Sequence, residues 1–311
     1  MSDQKRPAND PKVDQTGEAD WDGKGNEPIV RDQYPEPSDS SGSAKGIKKS
    51  ETGVERGRGF SDTEDARLLV PSSLDSGPST VDRYVISKQI TKMQEPRRLD
   101  PEDMEERRII YPQSPNRKLV NRFRNLRTKL LEVSGGNNFT LVVTGATAGS
   151  GASFTALNLA AAFALDESKT ALIVDCNLRN PSLHHTLDLL PETGLTDFLT
   201  DPEYDIGRVI YPTGIPRVRL IPAGSRREYP GEFFTSFRMR QFLQAVRRRY
   251  PDRFIVLDVG PIDEAPDARI LSDLCDYTLL VVPHGRVSSG DVERAASSFS
   301  PDKFVGAVIN G

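Results

Sequence analysis

The sequence predicts an α/β fold in which a mostly parallel, doubly wound sheet carries helices on both faces. Apolar runs of strand length alternate along the second half of the chain with segments of helical character. The runs are nearly continuous in Val, Ile and Leu, which is typical of parallel strands buried on both faces. A glycine-rich turn, "TGATAGSG", joins the first run to a helix. In such sheets a ligand binds where strands end and helices begin.

Each predicted element has a local signal in the sequence. The predicted strands are "FTLVVT", "TALIVD", "VRLIPAG", "FIVLD", "YTLLVV" and "KFVGAVIN". Helices are predicted from Ala152 to Leu165, after Pro181, and over "FRMRQFLQAVRRRY", "APDARILSDL" and "SGDVERAASSF". Proline favours a helix start, because the first helical turn does not need its missing N–H.

An arginine-rich helix is predicted before the first strand, over "SPNRKLVNRFRNLRTKLLEVSGG". Ser114 is a suitable cap before Pro115, and two glycines end the segment. The face that includes Arg124 and Arg127 is basic, so it either docks on an acidic surface or a membrane, or is a solvated face. The apolar residues form one stripe at helical spacing: Leu119, Val120, Phe123, Leu126, Leu130 and Leu131.

The chain divides into a polar leader and an ordered domain. Residues 1–114 are dominated by Ser, Gly, Pro and charged residues, with few apolar clusters to offset the entropy of ordering. We therefore predict a mostly disordered leader over 1–114, with one short helix around "VDRYVISKQITKM", and a single domain over 115–311. The net charge of -4 is small and gives no indication of a nucleic-acid partner.

The cysteines and the apolar runs indicate a cytoplasmic protein. Cys176 and Cys275 have neither the number nor the spacing of a disulfide framework or a zinc site, so we predict free buried thiols. The longest apolar run, "TALNLAAAFAL", is too short to span a bilayer, and "MSDQKRPAND" does not have the pattern of a signal peptide. Membrane association would then require a partner.

The glycine-rich turn has two competing interpretations. As "TGxxxGxG", with Asp175 at the end of the second strand, it matches a short-chain dehydrogenase that binds NAD(P). That chemistry also needs a Tyr-x-x-x-Lys pair, which the sequence lacks, since Tyr204 is followed at that distance by Arg208. The dehydrogenase remains a remote alternative without its catalytic pair.

The second interpretation is a phosphate loop. It needs glycines that let backbone N–H groups surround phosphates, a helix N-terminus, a Ser/Thr near Mg²⁺ and a lysine on the phosphates. Gly149, Gly151 and Ser153 supply the first and third features, whereas Ala152 stands in place of the lysine. Asp175 and Asp258 each end an apolar strand, and carboxylates at neighbouring strand ends can hold Mg²⁺.

The sequence from about residue 114 to residue 311 resembles the bacterial tyrosine kinases, phosphate-loop ATPases of exopolysaccharide and capsule synthesis that are related to the ParA/MinD group. "VVTGATAGSGASFTALNLAAAFA" is similar to their Walker A segment and "ALIVDCNLRNPSLH" to their second aspartate segment. "FIVLDVGPIDEAPDARILSDLCDYTLLVV" is similar to their Walker B segment. "IPAGSRREYPGEFFTSFRMRQFL" and "FRNLRTKL" match two further landmarks. The resemblance implies a P-loop NTPase-like fold.

The chain also departs from the family pattern. Ala152 replaces the phosphate-binding lysine, and Asn177 replaces the second aspartate of its segment. Ser150 and Phe154 replace a usual Glu and a second Ser/Thr. In the arginine-rich helix, Arg124 and Arg127 match the oligomerisation motif, but Asn121 replaces its Glu. The sequence ends at "GAVING" without the tyrosine cluster that the family autophosphorylates.

The resemblance and these departures together predict a kinase-like protein with weak or absent catalysis. It would be a regulatory or assembly partner of a membrane-anchored chain-length or export protein, with Arg124 and Arg127 as partner or self-association contacts. Binding of ATP and Mg²⁺ is expected to be weak or absent. The residues predicted around a nucleotide are Gly149, Ser150, Gly151, Ala152, Ser153 and Phe154, with Ser153, Asp175 and Asp258 around the metal.

Two alternatives to this reading stay open at the sequence level. An active autokinase or ATPase would use Asp175 and Asp258 as catalytic candidates and would need a compensating cation. Lys169 precedes the second strand, at the wrong end of the sheet, and Arg179 lies near the right end. A pure interaction protein would bind no nucleotide.

Overall fold

The structure is a computed structural model that describes residues 95, 96, 98–249 and 253–311. The predicted leader therefore lies mostly outside the described residues, as does the short helix predicted around "VDRYVISKQITKM". The helices are α1 (Pro101–Glu106), α2 (Arg117–Val133), α3 (Ala152–Ala164), α4 (Leu183–Thr186), α5 (Leu195–Thr200), α6 (Pro230–Phe234), α7 (Phe237–Arg249), α8 (Asp267–Leu274) and α9 (Ser289–Ala296). The strands are β1 (Thr140–Gly145), β2 (Thr170–Asp175), β3 (Tyr211–Pro212), β4 (Val218–Ile221), β5 (Arg253–Val259), β6 (Tyr277–Pro283) and β7 (Phe304–Asn310), and a 3₁₀ turn spans Ile206–Val209.

The strands form a 7-stranded sheet in the order β3-β4-β2-β5-β1-β6-β7. Every recorded pairing is parallel except that of β3 with β4 at one edge. The predicted mostly parallel, doubly wound fold is therefore confirmed, and the predicted strands all form. The short antiparallel strand β3 was not predicted. Because β1, β2 and β5 are neighbours, their carboxyl ends meet at one place on the sheet edge.

Helices cover both faces of the sheet, and each face has its own apolar core. Alternate residues of one strand serve opposite cores: Leu141 and Val143 point to the α2 and α3 side, and Val142 points to the other side. The second core contains buried residues of α5, α7 and α8, among them Phe198 and Phe242. All three β1 residues are fully buried, as expected for a parallel strand covered on both faces.

Helix α2 has the predicted apolar stripe but a different cap. Val120, Phe123 and Leu130 are buried in the core, and the remaining stripe residues pack against it. The cap is Asn116, whose side chain accepts a hydrogen bond from the N–H of Leu119 at 3.1 Å, so the prediction of Ser114 was wrong. The helix ends as predicted, at two glycines in the left-handed region.

The ordered domain begins before the predicted boundary at residue 115. Residues 98–114 carry α1 and place Leu99, Met104 and Ile110 in the core. The side chain of Asn158 on α3 binds this segment at two points. Its Oδ1 accepts from the N–H of Ile110 at 2.8 Å, and its Nδ2 donates to the carbonyl of Arg108 at 3.1 Å. The segment was missed because its few apolar residues are scattered among charged ones.

We expect Asn158→Ala to lower the free energy of unfolding by about 2 kcal/mol, because it leaves the buried N–H of Ile110 without a partner and removes the part-buried bond to the carbonyl of Arg108. Urea denaturation of the full chain measures this difference. Asn125→Ala is the matched control, since Asn125 is exposed on α2. Equal stability of the two variants would show that residues 98–114 are not held to α3 as described.

No helix within the described ranges is long and apolar enough to cross a membrane. The two cysteines are free and buried, as predicted.

Candidate functional site

The turn between β1 and α3 has the conformation of a phosphate loop. Gly149 and Gly151 adopt φ of 69° and 83°, in the left-handed region where a side chain is strained. Ser150 closes the turn, because its hydroxyl and its N–H both approach the carbonyl of Thr147. The loop therefore has the curled backbone that the glycine pattern predicted.

Helix α3 begins at this loop without a side-chain cap. Gly151 is its N-cap residue, and no cap hydrogen bond from a side chain is formed there. The N–H groups of Ala152, Ser153 and Phe154 lie in the first turn, where no carbonyl of the helix reaches them. A helix start of this kind, with its positive end of the dipole, favours an anion.

Two buried carboxylates lie at the neighbouring strand ends. Asp175 at the end of β2 is directly opposite Asp258 of β5 in the sheet register, and both are fully buried. The carboxylate of Asp175 accepts hydrogen bonds from the N–H groups of Asn177, Ser182 and Leu183 at 3.1–3.2 Å. By contrast, neither carboxylate oxygen of Asp258 has a hydrogen-bond partner.

The carboxyl pKa values reflect this difference in partners. Burial raises the pKa of Asp175 to about 6, although its three backbone hydrogen bonds act in the opposite direction. Burial and then the nearby charge of Asp175 raise the pKa of Asp258 well above its usual value. The nearby hydroxyl of Ser153 acts in the opposite direction and offsets a part of this rise in the pKa of Asp258. An unpartnered buried carboxylate beside a second one is a suitable place for a divalent cation.

Ala152 is the first residue of α3, and its half-buried methyl group packs against the core. The next departure from the family pattern also has a packing role: Phe154 meets Phe123 of α2 edge to face, with ring centroids 5.9 Å apart. Neither side chain can hold a phosphate. Of the loop residues predicted around a nucleotide, Ser153 is therefore the one that combines a polar side chain with a place beside Asp258.

Asn177 and Arg179, which follow β2, serve the local structure. The Oδ1 atom of Asn177 accepts from the N–H of Asn180 at 3.2 Å and so closes a turn. Arg179 donates to the carbonyl of Glu228 at 2.9 Å and lies 3.3 Å from a carboxylate oxygen of Asp267. Arg179 is thus already engaged away from the phosphate loop.

Two residues that the sequence analysis missed contact the phosphate loop. Arg286, in the loop after β6, donates from Nη2 to the carbonyl of Gly149 at 2.7 Å. Asn310, the last residue of β7, donates to the carbonyl of Ser150 at 3.0 Å, and its Nδ2 atom occupies the place that a Cβ on Gly151 would take. No local signal in the sequence indicates either contact, because both depend on β6 and β7 lying on the β1 side of the sheet.

The two arginines predicted as partner contacts have different environments. Arg124 is exposed on α2. Arg127 is half-buried and donates from Nη1 to the carbonyl of Ala162 at 2.9 Å, near the C-terminal end of α3. A cation there stabilises the helix end. Arg127 therefore has a structural role within the domain, and Arg124 is the freer of the two for a partner.

No family model matches the chain. Among curated proteins, tyrosine-protein kinase CpsD of Streptococcus agalactiae serotype III is 30% identical over 191 residues, covering 60% of this chain and 80% of that protein. Tyrosine-protein kinase YwqD of Bacillus subtilis is 26% identical over 209 residues, covering 66% of this chain and 86% of that protein. The chain belongs to the bacterial tyrosine-protein kinase family. The dehydrogenase alternative finds no support.

Solved structures of bacterial tyrosine kinases have the same fold. The kinase domain of Escherichia coli tyrosine kinase ETK is 25% identical, with a TM-score of 0.59, covering 71% of this chain and 83% of that one. The chimerical protein CapA2B2 has a TM-score of 0.59 at 22% identity, covering 73% of this chain and 98% of that one. The predicted P-loop NTPase-like fold is confirmed.

In this bacterial tyrosine-kinase relative, the residues at the candidate site match the chemistry of a magnesium-bound nucleotide in part. The uncapped start of α3 suits phosphate, and the unpartnered carboxylate of Asp258 beside Asp175 suits Mg²⁺. Position 152, however, contributes a methyl group where a cation would hold the phosphates. An uncapped helix start and a pair of buried carboxylates therefore lie together, and the loop between β1 and α3 carries no cation of its own.

Proposed function

We propose that this protein binds ATP–Mg²⁺ weakly and has lost efficient phosphotransfer, and that it acts as a regulatory or assembly partner in exopolysaccharide or capsule synthesis. The observation that carries the proposal is Ala152 at the first position of α3, in a loop that is otherwise folded as a phosphate loop. The protein would then use its kinase fold to bind a nucleotide and a partner protein, and not to transfer phosphate.

The size of the missing contribution supports a loss of catalysis. A charge-assisted hydrogen bond is worth roughly 1.5–3 kcal/mol even in a ground state. A cation positioned on a transferring phosphoryl group contributes about 10³-fold or more to the rate. Asn177, which stands where the family has an aspartate, is occupied with a backbone turn and cannot accept a proton from a nucleophile.

Several groups of the chain remain available to hold a nucleotide. The first-turn N–H groups of α3 would bind the phosphates, and Asp175, Asp258 and Ser153 would hold the metal and its water molecules. Mg²⁺ would supply charge neutralisation on the phosphates when bound. Because binding of Mg²⁺ would also neutralise the buried carboxylates, nucleotide and metal should bind together.

The expected partner is a membrane-anchored chain-length or export protein, which would contact the exposed basic face of α2. Homo-oligomerisation would be a second use of this face. Arg124 is exposed on this basic helix, and the buried stripe of α2 fixes which residues point outward. Such a contact would place a cytoplasmic protein at the inner membrane through its partner.

Calorimetric titration tests the nucleotide part of this proposal. We expect ATP with Mg²⁺ to bind the full chain weakly, with a Kd of about 10⁻⁵ M or higher. Chelation of Mg²⁺ should abolish this binding, because Asp175 and Asp258 would then repel the phosphates. Absence of binding under both conditions would contradict the proposal and favour a pure interaction protein.

A further inference from the structure

We propose that Arg286 supplies the cation that the phosphate loop lacks, by binding the polyphosphate chain of a nucleoside triphosphate. The inference rests on the proposed function, because it assigns a binding residue to the same site. It also gives a physical reason why the loop could keep its shape and its ligand after losing a lysine.

The loop needs a cation from elsewhere in the chain. The stretch 141–165 contains neither lysine nor arginine, and the adjacent strand ends contribute two carboxylates. Backbone N–H groups can donate to phosphate oxygens but carry no net charge to neutralise them, whereas a guanidinium group donates and neutralises together. The unpartnered oxygens of fully buried Asp258 independently indicate that a ligand belongs at this helix start.

The sheet topology brings Arg286 to the loop. Strand β6 lies next to β1, so the segment that follows β6 is delivered beside the turn that follows β1. The Nη2 atom of Arg286 donates to the carbonyl of Gly149, and its Nη1 lies 3.7 Å from where a Cβ on Gly149 would be. The guanidinium group therefore lies against the loop itself. Its bond to Gly149 uses one of five N–H donors.

Arg286 also lines a cavity of about 360 Å³, together with Ala146, Thr147, Asp263 and Arg294. The lining does not include the start of α3 or the two buried carboxylates, so the cavity gives the guanidinium free space beside the beginning of the loop. Arg286 is exposed, so its guanidinium is free to turn from the carbonyl of Gly149 toward a phosphate. That turn would exchange a neutral hydrogen-bond acceptor for a charged one.

Two other cations near this end of the sheet are engaged differently. Arg179 is held by Asp267 and the carbonyl of Glu228. Arg294 pairs with Asp291 on the same helix and lines the cavity without a recorded hydrogen bond to the loop. Arg294 thus has the same charge and a similar exposure but lacks the contact with Gly149, which makes it a matched control.

The test is calorimetric titration of ATP–Mg²⁺ into the wild type, Arg286→Gln, Arg294→Gln and the double variant Ala152→Lys/Arg286→Gln. We expect Arg286→Gln to weaken binding about tenfold or more and Arg294→Gln to leave the Kd within about twofold. A lysine at 152 should restore the affinity that Arg286→Gln loses. Circular dichroism and thermal unfolding check that each variant is folded.

Each other result overturns the inference. If Arg286→Gln binds as tightly as the wild type, Arg286 is a structural contact, and the proposed function survives. If both arginine variants weaken binding equally, the effect is a general one of charge. If the wild type binds no ATP–Mg²⁺, both the inference and the nucleotide part of the proposed function fail, and binding by Ala152→Lys/Arg286→Gln would then show that the missing lysine is sufficient to explain the loss.

Discussion

Ala152→Lys should bind ATP–Mg²⁺ roughly 10- to 100-fold more tightly than the wild type. Residue 152 is the first residue of α3, next to the uncapped N–H groups, so a lysine there would place an ammonium group at the phosphates. One charge-assisted hydrogen bond of roughly 1.5–3 kcal/mol accounts for an increase of this size. Calorimetric titration measures the Kd of both proteins.

Ala148→Lys is the control for this experiment. Ala148 is exposed in the same loop, so the variant adds the same charge outside the helix start. If Ala148→Lys binds ATP–Mg²⁺ as tightly as Ala152→Lys, the gain reflects net charge, and position 152 is not a phosphate position. A gain confined to residue 152 would show that the scaffold of the site is intact.

Asp258→Asn should stabilise the metal-free protein, by at least about 2 kcal/mol at pH 8. Both carboxylate oxygens of Asp258 are buried without a hydrogen-bond partner beside Asp175, so the ionised form is poorly solvated and repelled. The amide removes that charge at similar volume. Urea denaturation in the presence of a chelator measures the difference in free energy of unfolding.

The stabilisation should depend on pH in a defined direction. The pKa of Asp175 is raised to about 6 and that of Asp258 is raised well above normal, so the folded state holds protons that the unfolded chain releases above about pH 4. The free energy of unfolding of the wild type therefore falls as pH rises above this value, by on the order of 3 kcal/mol by the time Asp175 has ionised. The advantage of Asp258→Asn should be small at pH 4 and large at pH 8.

Asp263→Asn provides the comparison for this effect, because it removes the same charge at an exposed position after β5. We expect it to leave both the stability and its pH dependence nearly unchanged. If Asp258→Asn were as stable as the wild type at every pH, the carboxylate would have partners that satisfy it in the metal-free protein. Addition of Mg²⁺ should reduce the difference in free energy of unfolding between Asp258→Asn and the wild type.

The sheet and the centre of the site could be predicted because their signals are local. Buried parallel strands need continuous Val, Ile and Leu, and the positions of Gly149, Gly151 and Asp258 follow directly from the strand ends. Helix α1 and strand β3 have weak signals, because short elements are held by tertiary contacts rather than by their own pattern. The cap at Asn116 was missed because Ser114 and Asn116 are both good capping residues.

The role of Arg286 required the order of the strands in space. Nothing local connects residue 286 with residue 149, since the contact exists only because β6 lies beside β1. The same reason explains why Arg127 was assigned to a partner, although its guanidinium reaches the end of α3 within the domain. Long side chains can serve elements that are far apart in the sequence, so composition and spacing do not determine their contacts.

The most direct test of the central claim is the rate at which the wild-type protein releases or transfers the γ-phosphate of ATP. It should be measured with radiolabelled ATP and Mg²⁺ at saturating concentration, beside Asp258→Asn. We expect the two rates to be equal within error, because the loop lacks the lysine whose charge on the transferring phosphoryl group would raise the rate about 10³-fold or more. A wild-type rate that is clearly above background and disappears in Asp258→Asn would contradict the account and show an active enzyme.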